Sequence, residues 1–417
     1  MSQLDHHHPD SSGGIVIIGA GLAGATAAEA LRQEGFTGDI HLVAGEKHHP
    51  YIRPPLSKDV LTGKAGRETA FIHDDGWYAD SAVDLIVGDA ATAIDRSGHL
   101  VTLASGRTLP YRRLLLSTGA VPRRLDVPGS HLDGIRYLRT IDDSDLLRDD
   151  LASGGKKVVS VGSGWIGLEV TAAARGYGNE VTVVSPGSVP LASALGDELG
   201  RQFQRLHVEH GVTFAMETGV TGFTGAEGRV TGVLTDDGDT IPADLVVVGI
   251  GATPSVDLAR AAGLDVDGGI VVDAALRTAD PAVFAAGDVA NAWHPTLEAR
   301  LRSEHWANAL DQGKAVAGSM LGQPLSYDKV PYFYTDQYDL GMEYAGFFPL
   351  AIGADVIYRG DVDGREFVAF WMRDGRVVAG MNVNVWDVND DIRALVRSGR
   401  TVDAGRLADP SVAIGDL

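Results

Sequence analysis

The chain contains no cysteine among its 417 residues. A structural disulfide, a cysteine-ligated iron–sulfur cluster and a redox-active dithiol are therefore all excluded. Basic residues are also scarce, with 35 Lys and Arg against 56 Asp and Glu, which gives a formal net charge of −21. Because such a chain repels phosphate groups, we expect neither nucleic-acid nor anionic-membrane partners.

Long apolar runs are absent as well, and no stretch is long enough to cross a bilayer. The sequence also shows no signal peptide. Residues 1–14 are polar and predict a disordered tail. The run His6-His7-His8 within this tail is interpreted as solvated rather than as a metal site. The length suffices for two or three domains, and we expect a cytoplasmic protein without a bound metal.

The most informative pattern that is present is a glycine motif that occurs twice. Gly19-Ala20-Gly21-Leu22-Ala23-Gly24 follows the apolar run 15–18, and Gly162-Ser163-Gly164-Trp165-Ile166-Gly167 follows the apolar run 158–161. Each motif predicts a strand, a tight turn and a helix whose N-terminus faces the pyrophosphate of a dinucleotide. Two motifs in this context imply two dinucleotides, and therefore electron transfer from one to the other.

The order of the apolar runs predicts one dinucleotide-binding domain inserted into another. We expect the first domain to consist of residues 15–122 and 249–325, and the second of residues 123–248. Residues 326–417 are richer in aromatic residues, and their alternating pattern predicts an antiparallel sheet followed by a helix. The expected fold is α/β, with two Rossmann-like domains and a C-terminal α+β domain.

The most specific short motif is Arg53-Pro54-Pro55-Leu56-Ser57-Lys58. It is supported by Thr118-Gly119, Pro122-Arg123, Gly167-Leu168-Glu169, Gly249-Ile250-Gly251, Ala286-Gly287-Asp288, Glu304-His305-Trp306, Asn308-Ala309 and Thr335-Asp336-Gln337. Through these residues the chain after the tail resembles the pyridine-nucleotide-dependent flavoprotein reductases of oxygenase systems. These are the ferredoxin, putidaredoxin and rubredoxin reductases, with apoptosis-inducing factor as a relative.

The resemblance implies that the first motif holds FAD and that the second holds NAD(P)H. It assigns to FAD the residues Gly19, Gly21, Leu22, Ala23, Gly24, Glu46, Arg53, Lys58, Ala91, Thr118, Gly119, Arg123, Gly287, Asp288, Glu304, His305, Trp306 and Tyr334. It assigns to NAD(P)H the residues Gly162, Gly164, Trp165, Ile166, Gly167, Glu169, Ser185, Ile250 and Gly251.

Several of these residues have particular roles by the same resemblance. Glu46 would bind the FAD ribose, Asp288 would accept a hydrogen bond from the ribityl chain, and the backbone near Ala91 would meet the adenine. Trp306 and Tyr334 would flank the isoalloxazine ring, although their interpretation as core aromatics stays open.

A catalytic pair also follows from the resemblance. Lys58 would lie against flavin N5, paired with Glu169 from the second domain. A buried lysine needs such a carboxylate partner to stay charged, so the two residue types suit each other. An interpretation of Lys58 as a surface lysine after a proline-rich turn stays open.

One position departs from the pattern of NAD-preferring relatives. Where those relatives often have an acidic residue, at the end of the second strand of the second domain, this chain has Ser185. A serine neither binds the ribose as a carboxylate does nor repels a 2′-phosphate. NADP(H) preference usually requires a nearby arginine, and no basic residue lies between Ser185 and Arg201. We expect NADH to be preferred, with NADPH possible.

The expected activity is that of an FAD-dependent NAD(P)H:ferredoxin reductase. A hydride from the nicotinamide goes to flavin N5, and electrons leave singly for a ferredoxin or rubredoxin-type protein that supplies an oxygenase such as a cytochrome P450. Without cysteine, electrons must leave the flavin directly for an outside acceptor. The alternatives are direct reduction of oxygen or a quinone, and a redox-sensing, NADH-binding flavoprotein resembling apoptosis-inducing factor.

Overall fold

The computed structural model describes residues 14–417. The strands are, in chain order, β1 (Gly14–Ile18), β2 (Ile40–Ala44), β3 (Val83–Val87), β4 (Ala91–Asp95), β5 (Leu100–Leu103), β6 (Thr108–Leu116), β7 (Ala120–Pro122), β8 (Ile135–Arg136), β9 (Lys157–Val161), β10 (Glu180–Ser185), β11 (Thr213–Met216), β12 (Val220–Ala226), β13 (Arg229–Thr235), β14 (Thr240–Pro242), β15 (Leu245–Val248), β16 (Ala252–Pro254), β17 (Ile270–Val272), β18 (Val283–Ala285), β19 (Ala290–His294), β20 (Ala299–Leu301), β21 (Tyr332–Gln337), β22 (Leu340–Gly346), β23 (Asp355–Asp361), β24 (Glu366–Arg373) and β25 (Arg376–Val383). The predicted tail lies outside the described residues, except for Gly14, which is the first residue of β1.

The helices are α1 (Leu22–Gln33), α2 (Trp77–Asp80), α3 (Ile141–Ala152), α4 (Trp165–Gly176), α5 (Ala192–Leu195), α6 (Asp197–Glu209), α7 (Asp257–Ala261), α8 (Trp306–Met320), α9 (Phe348–Ala351), α10 (Asn389–Ser398) and α11 (Ala404–Ala408). Within residues 14–417, no helix is both long enough and apolar enough to span a bilayer.

The described residues group into two compact units. Unit 1 contains the described residues up to Ile52, together with Phe71–Ala120 and Pro254–Lys329. Unit 2 contains Arg53–Ala70, Val121–Thr253 and Val330–Leu417. The segment Arg53–Ala70, which we expect in the first dinucleotide-binding domain, thus packs within unit 2. The predicted domain boundaries themselves stay a prediction.

Unit 1 is organised around a seven-stranded sheet in the order β3-β2-β1-β6-β5-β4, with β18 also beside β6. Strands β1, β2, β3, β6 and β18 pair in parallel, and β4 and β5 continue the sheet antiparallel. The run Ile15–Ile18 is buried throughout, as expected for a central strand covered on both faces. Helices α1 and α8 pack so closely that a Cβ on Gly313 would lie only 2.6 Å from the carbonyl oxygen of Ala23. Glycine at position 313 allows this close approach.

Unit 2 contains a second parallel sheet, in the order β11-β10-β9-β15-β8. A small antiparallel sheet, β12-β13-β14, accompanies it. The strand, turn and helix predicted around each glycine motif are therefore confirmed. Strand β15 ends at Val248, and the backbone of Gly251, three residues later, has a φ of 100°.

The C-terminal part of unit 2 is a five-stranded antiparallel sheet in the order β21-β22-β25-β24-β23. The side chains of Phe367, Ala369 and Trp371 share one buried cluster. Helix α10 packs on β25, where a Cβ on Gly380 would meet Ile392 at 2.5 Å. The predicted sheet and helix are both present, so the expected α/β fold with a C-terminal α+β domain is confirmed.

Helix α3 begins at a capping box. The Thr140 hydroxyl accepts a hydrogen bond from the Asp143 amide at 3.1 Å, and the Asp143 carboxylate accepts one from the Thr140 amide at 2.8 Å. Replacing Thr140→Ala should lower the free energy of unfolding by about 1 kcal/mol, because one helix donor loses its acceptor. Urea unfolding followed by circular dichroism measures this change. Thr140→Ser keeps the acceptor and should stay close to the parent; equal losses in both variants would contradict the capping role.

Candidate functional site

The first glycine motif forms the turn between β1 and α1 in unit 1. Gly19 has a φ of 104°, a conformation that side chains disfavour. A Cβ on Gly19 would collide with the carbonyl oxygen of Ser117, and a Cβ on Gly24 would collide with that of Gly19. A Cβ on Gly21, in contrast, would meet nothing within 4 Å. The outer glycines are required by the turn and its packing, whereas the middle one leaves open space for a phosphate.

The second motif repeats this arrangement between β9 and α4 in unit 2. Gly162 has a φ of 103°, and its Cβ would collide with the carbonyl oxygen of Gly249. A Cβ on Gly167 would lie 2.6 Å from the carbonyl oxygen of Gly162. Again only the middle glycine, Gly164, faces open space within 4 Å. Both motifs therefore have the shape that a pyrophosphate requires.

Both helices begin without a side-chain cap. The N-cap residues are Gly21 for α1 and Gly164 for α4, and neither first turn contains an acidic residue. The first amide groups of a helix have no partner within the helix and carry the positive end of its dipole. Each helix start therefore offers donors to an anion.

Further predicted residues lie at the same edge of the unit 1 sheet. Glu46 follows β2, and its carboxylate accepts a hydrogen bond from the Tyr51 hydroxyl. Thr118 follows β6 and donates to the carbonyl oxygen of Ser255 at 2.7 Å. Ala91 is the first residue of β4. The motif, Glu46 and Thr118 all lie at the carboxyl ends of parallel strands, where ligands bind in such sheets.

Gly287 and Asp288 follow β18, which pairs with β6 in the same sheet. Gly287 has a φ of 79°, and its amide donates to Gln312 Oε1 at 2.8 Å. This amide therefore already donates a hydrogen bond to a side chain of α8. The contact of Gly287 with FAD stays a prediction, and the turn at Gly287 places Asp288 three residues after the end of β18.

The start of α8 carries the predicted residues Glu304, His305 and Trp306. Glu304 forms an ion pair with Arg302, and burial lowers the pKa of His305 to about 4. Trp306 Nε1 is buried and has no hydrogen-bond partner among the described residues. A buried donor of this kind is costly, and an acceptor atom on a bound group would satisfy it.

In unit 2, Lys58 and Glu169 form the ion pair that the resemblance implies. Lys58 Nζ lies 2.5 Å from Glu169 Oε1, and the side chains are 15% and 3% exposed. Glu169 Oε1 also accepts from Thr335 Oγ1 at 2.6 Å, and Oε2 accepts from the Ser57 hydroxyl. Three donors therefore surround one buried carboxylate, which is the condition for keeping a charge away from water.

The loop that carries Lys58 is fixed by α3 and the residues before it. The Ser144 hydroxyl donates to the carbonyl oxygen of Leu56 at 2.8 Å. The guanidinium of Arg53, which we expect at FAD, donates to the carbonyl oxygen of Arg139. These bonds help to define the position of Lys58.

Tyr334 lies beside the same pair. Lys58 Nζ is 5.3 Å from the centroid of its ring, within cation–π range. Burial, together with the carboxylates of Asp336 and Glu169, raises the pKa of Tyr334. Neither Tyr334 nor Trp306 is fully buried, which suits rings that face a ligand better than rings of a core.

Ser185 ends β10, as expected, and its hydroxyl accepts a hydrogen bond from Ser163 at 2.8 Å. Both serines are buried, so Ser185 is tied to the second glycine motif itself. In the register of β10 with β11, Ser185 pairs with Met216. Glu217 follows directly, is exposed, has a φ of 56° and donates its amide to the carbonyl oxygen of Gly187 at 2.9 Å. An acidic residue thus lies at this edge on the neighbouring strand.

The first residues of α4 differ in environment. The ring of Trp165 packs edge-on against Phe203 and Phe333, with centroids 5.7 and 5.0 Å away, whereas Ile166 is 46% exposed. The Trp165 ring is partly buried and packs against the core cluster of unit 2. The coenzyme contact predicted for Trp165 stays a prediction, and Ile166 offers an apolar side chain at the surface.

Arg123, Ile250 and Gly251 meet within unit 2. The Arg123 amide donates to the carbonyl oxygen of Gly251 at 2.9 Å, and Gly251 has a φ of 100°. A Cβ on Gly162 would lie 3.4 Å from the Ile250 side chain. Ile250 is thus a neighbour of the second motif, whereas the roles predicted for Arg123 and Gly251 stay predictions.

Sequence reasoning missed three residues of this region: Ser57, Thr335 and Glu217. Ser57 and Thr335 belong to the short motifs that carried the resemblance, and that membership was the only signal for them. Their shared partner, Glu169, lies 112 and 166 residues away along the chain. Glu217 had no signal in the sequence, because only the strand register brings it next to Ser185.

The uncapped N-termini of α1 and α4, which suit phosphate groups, and the buried lysine–carboxylate pair are the features of a dinucleotide-binding oxidoreductase. The family model of the pyridine nucleotide-disulphide oxidoreductases matches residues 13–313, and the reductase C-terminal model matches residues 332–417. The chain belongs to the pyridine nucleotide-disulphide oxidoreductase family. The resemblance expected from its motifs is confirmed.

Similar proteins cover nearly the whole chain. The ferredoxin–NAD(+) reductase component of the anthranilate 1,2-dioxygenase system from Burkholderia cepacia is 41% identical, over 96% of this chain and 98% of its own. Rhodocoxin reductase from Rhodococcus erythropolis is 42% identical, over 89% and 86%. In the crystal structure of the covalent putidaredoxin reductase–putidaredoxin complex, a chain 35% identical superposes with a TM-score of 0.93, covering 97% of this chain and 98% of that one.

Removing both members of the Lys58–Glu169 pair should destabilise the protein by less than the sum of the two single removals. Lys58→Met or Glu169→Gln alone should cost about 3 kcal/mol, because one buried charge or its donors then lack a partner. The double variant should cost less than the sum of the two, by about 2 kcal/mol. Chemical unfolding of the four proteins measures this coupling.

The exposed pair Arg205–Asp363, with a 3.1 Å separation, provides a matched control in the same unit. The cycle of Arg205→Met and Asp363→Asn should show a coupling below about 1 kcal/mol, because water screens it. Equal coupling energies in the two cycles would refute the view that burial makes the Lys58–Glu169 pair special.

Proposed function

We propose that this protein is an FAD-dependent NADH:ferredoxin oxidoreductase that supplies electrons to an oxygenase. The observation that carries the proposal is the pair of uncapped helix starts with open space at Gly21 and Gly164. Two such sites in one oxidoreductase suit one dinucleotide that gives electrons and another that accepts them. The relatives named as reductase components of oxygenase systems support the choice of acceptor.

The residues of unit 1 fit FAD. The amide groups at the start of α1 suit the pyrophosphate, Glu46 suits the ribose hydroxyls, and Trp306 Nε1 has a buried proton to donate. A bound flavin supplies the chemistry that converts a two-electron hydride into single electrons. FAD is favoured over FMN, because a motif that cradles a pyrophosphate is of use only to a dinucleotide.

The assignment of Lys58 and Glu169 to the reaction rests on the family resemblance and is part of the proposal. Lys58 supplies a fixed positive charge for a cofactor that gains negative charge on reduction. Glu169 keeps that charge in place, and it is itself oriented by Ser57 and Thr335. With Ser57 and Thr335 donating to Glu169, little reorganisation of the pair would be needed on reduction of a bound flavin.

The proposed electron acceptor is a small iron–sulfur protein of the ferredoxin type. The chain has no cysteine, so an internal dithiol relay is excluded and electrons leave directly for an external acceptor. A solved relative forms a covalent complex with putidaredoxin, which supports a protein acceptor over oxygen or a quinone. The proposal includes a cytoplasmic location, where NADH is available.

The purified protein should be yellow and should release FAD on denaturation. After anaerobic reduction with one equivalent of NADH, reoxidation should be much faster with a ferredoxin than with oxygen or a quinone. Stopped-flow absorbance in the flavin band measures all three rates. Release of FMN, a folded protein without flavin, or fastest reoxidation by oxygen would contradict the proposal.

Substitution of the two middle glycines should separate the two nucleotide sites. Gly21 and Gly164 have φ values of −74° and −81°, which any residue can adopt, so Gly21→Val and Gly164→Val should both fold. Gly21→Val should lose FAD, because its side chain fills the space of the pyrophosphate. Gly164→Val should keep FAD and raise KM for NADH. Flavin content and steady-state kinetics report the two defects, and loss of flavin from folded Gly164→Val would reverse the assignment.

NADH should be preferred over NADPH, without an overwhelming ratio. Ser185→Glu introduces a carboxylate that repels a 2′-phosphate, so discrimination should rise roughly tenfold to hundredfold, mainly through weaker use of NADPH. The measurement is kcat/KM for both coenzymes at fixed ionic strength.

Glu217→Gln provides the matched comparison at the neighbouring strand. If Glu217 supplies the carboxylate that Ser185 lacks, its neutral replacement should lower the preference for NADH by about tenfold. A parent that favours NADPH, or an unchanged ratio in both variants, would show that neither residue faces the adenosine ribose.

A further inference from the structure

A continuous chain of side-chain hydrogen bonds leads away from Glu169 within unit 2. Thr335 Oγ1 donates to Glu169 Oε1 at 2.6 Å, and Gln337 Nε2 donates to Thr335 Oγ1 at 3.2 Å. His207 Nε2 lies 2.8 Å from Gln337 Oε1, and the Tyr338 hydroxyl lies 3.2 Å from His207 Nδ1. The chain therefore links the end of α6 and the strand β21 to the carboxylate on α4.

Only one assignment of protons satisfies every member of this chain. The carboxylate of Glu169 can only accept, so the Thr335 hydroxyl must donate to it and can accept only from the Gln337 amide nitrogen. The Gln337 amide oxygen then faces His207, whose Nε2 must carry the proton. His207 Nδ1 is left as the acceptor for the Tyr338 hydroxyl. Each residue thus fixes the orientation of the next, from the surface inwards.

The middle of the chain is buried. Thr335, Gln337 and His207 are all within the core of unit 2, where a polar group without a partner is costly and an alternative orientation has no water to compensate it. Burial also lowers the pKa of His207 to about 4, so the ring is neutral at physiological pH. A neutral ring has one protonated nitrogen, as the chain requires.

Tyr338, at the outer end of this series of hydrogen bonds, has a left-handed backbone conformation. Tyr338 has a φ of 58° in the two-residue connection between β21 and β22, a conformation that favours glycine. Its ring stacks on His210 with a centroid distance of 3.7 Å and an interplanar angle of 11°. The turn and the ring stack hold the Tyr338 hydroxyl beside His207 Nδ1.

We propose that His207, Gln337 and Tyr338 are positioning residues that act on Glu169 through Thr335. They hold the carboxylate in the orientation that directs it at Lys58. The inference rests on the proposed function only for its kinetic consequence; the geometry of the chain does not depend on it. The Gln337 amide neither releases nor takes up a proton near neutral pH. The proposal therefore does not include proton transfer along these hydrogen bonds.

Gln337→Glu gives the sharpest test, because the side chain keeps its shape while an ionised carboxylate can only accept. The Thr335 hydroxyl would then have two competing acceptors, and Glu169 would lose its dedicated donor. The limiting rate of flavin reduction by NADH should fall roughly tenfold, as for other supporting hydrogen bonds around a reacting group. The apparent Kd for NADH should stay within about twofold of the parent, since the coenzyme contacts do not change. Anaerobic stopped-flow reduction over a range of NADH concentrations measures both quantities.

His207→Leu and His207→Gln form a matched pair. Leucine removes the donor to Gln337, whereas a glutamine amide nitrogen occupies the place of Nε2 and can still donate. His207→Leu should therefore slow reduction and His207→Gln should restore most of the rate. Tyr338→Phe retains the ring and removes only the outermost bond, so a smaller loss is expected. If His207→Leu does not fold, the Gln337→Glu and Tyr338→Phe variants still decide the question.

The tautomer of His207 provides a readout that does not depend on turnover. Nitrogen-15 NMR of histidine-labelled protein, assigned with His207→Gln, should show protonation at Nε2 in the parent. Protonation at Nδ1, or a limiting rate within twofold of the parent in both His207→Leu and Gln337→Glu, would overturn the proposal. A protein that lacks flavin would instead refute the proposed function, and the tautomer would then decide the inference alone.

Discussion

The burial of one carboxylate constrains much of unit 2. Glu169 lies on α4 with only 3% of its side chain exposed, and an unpaired charge in such a place would not be tolerated. Its donors come from Ser57 and Lys58 on one loop and from Thr335 on a strand more than 160 residues later. Satisfying this single group therefore brings three distant parts of the sequence together.

The elements around the glycine motifs could be predicted because their signals are local. An apolar run, a glycine that must adopt a positive φ and a helix-forming stretch are adjacent in sequence, and β1, α1, β9 and α4 appear where these signals place them. The ends of elements were less predictable, since α4 begins at Trp165, within the second glycine motif itself. The partners of Glu169 and the grouping of Arg53–Ala70 with unit 2 depend on contacts between distant segments, which no local pattern encodes.

The absence of cysteine and the presence of two dinucleotide motifs limit the chemistry together. Many flavoproteins with two such motifs relay electrons through a dithiol, and this chain cannot. What it offers instead is a fixed charge pair and a set of main-chain donors, which bind and orient but do not themselves carry electrons. Bound cofactors would therefore carry the electrons, while the polypeptide determines their position and which molecules have access to them. The net charge of −21 would repel an acidic partner at long range. Docking of such a partner would therefore have to rely on short-range contacts.

The open space in front of Gly21 and Gly164 has a consequence for how the protein tolerates mutation. Donors that belong to the main chain are present whatever side chains the neighbouring positions carry. Substitutions at Ala20 or Ser163 leave the number of amide donors unchanged, whereas adding a side chain at either middle glycine blocks access to them. The effect of a substitution on access to the amide donors therefore depends on whether it falls on a middle glycine or on the residue before it.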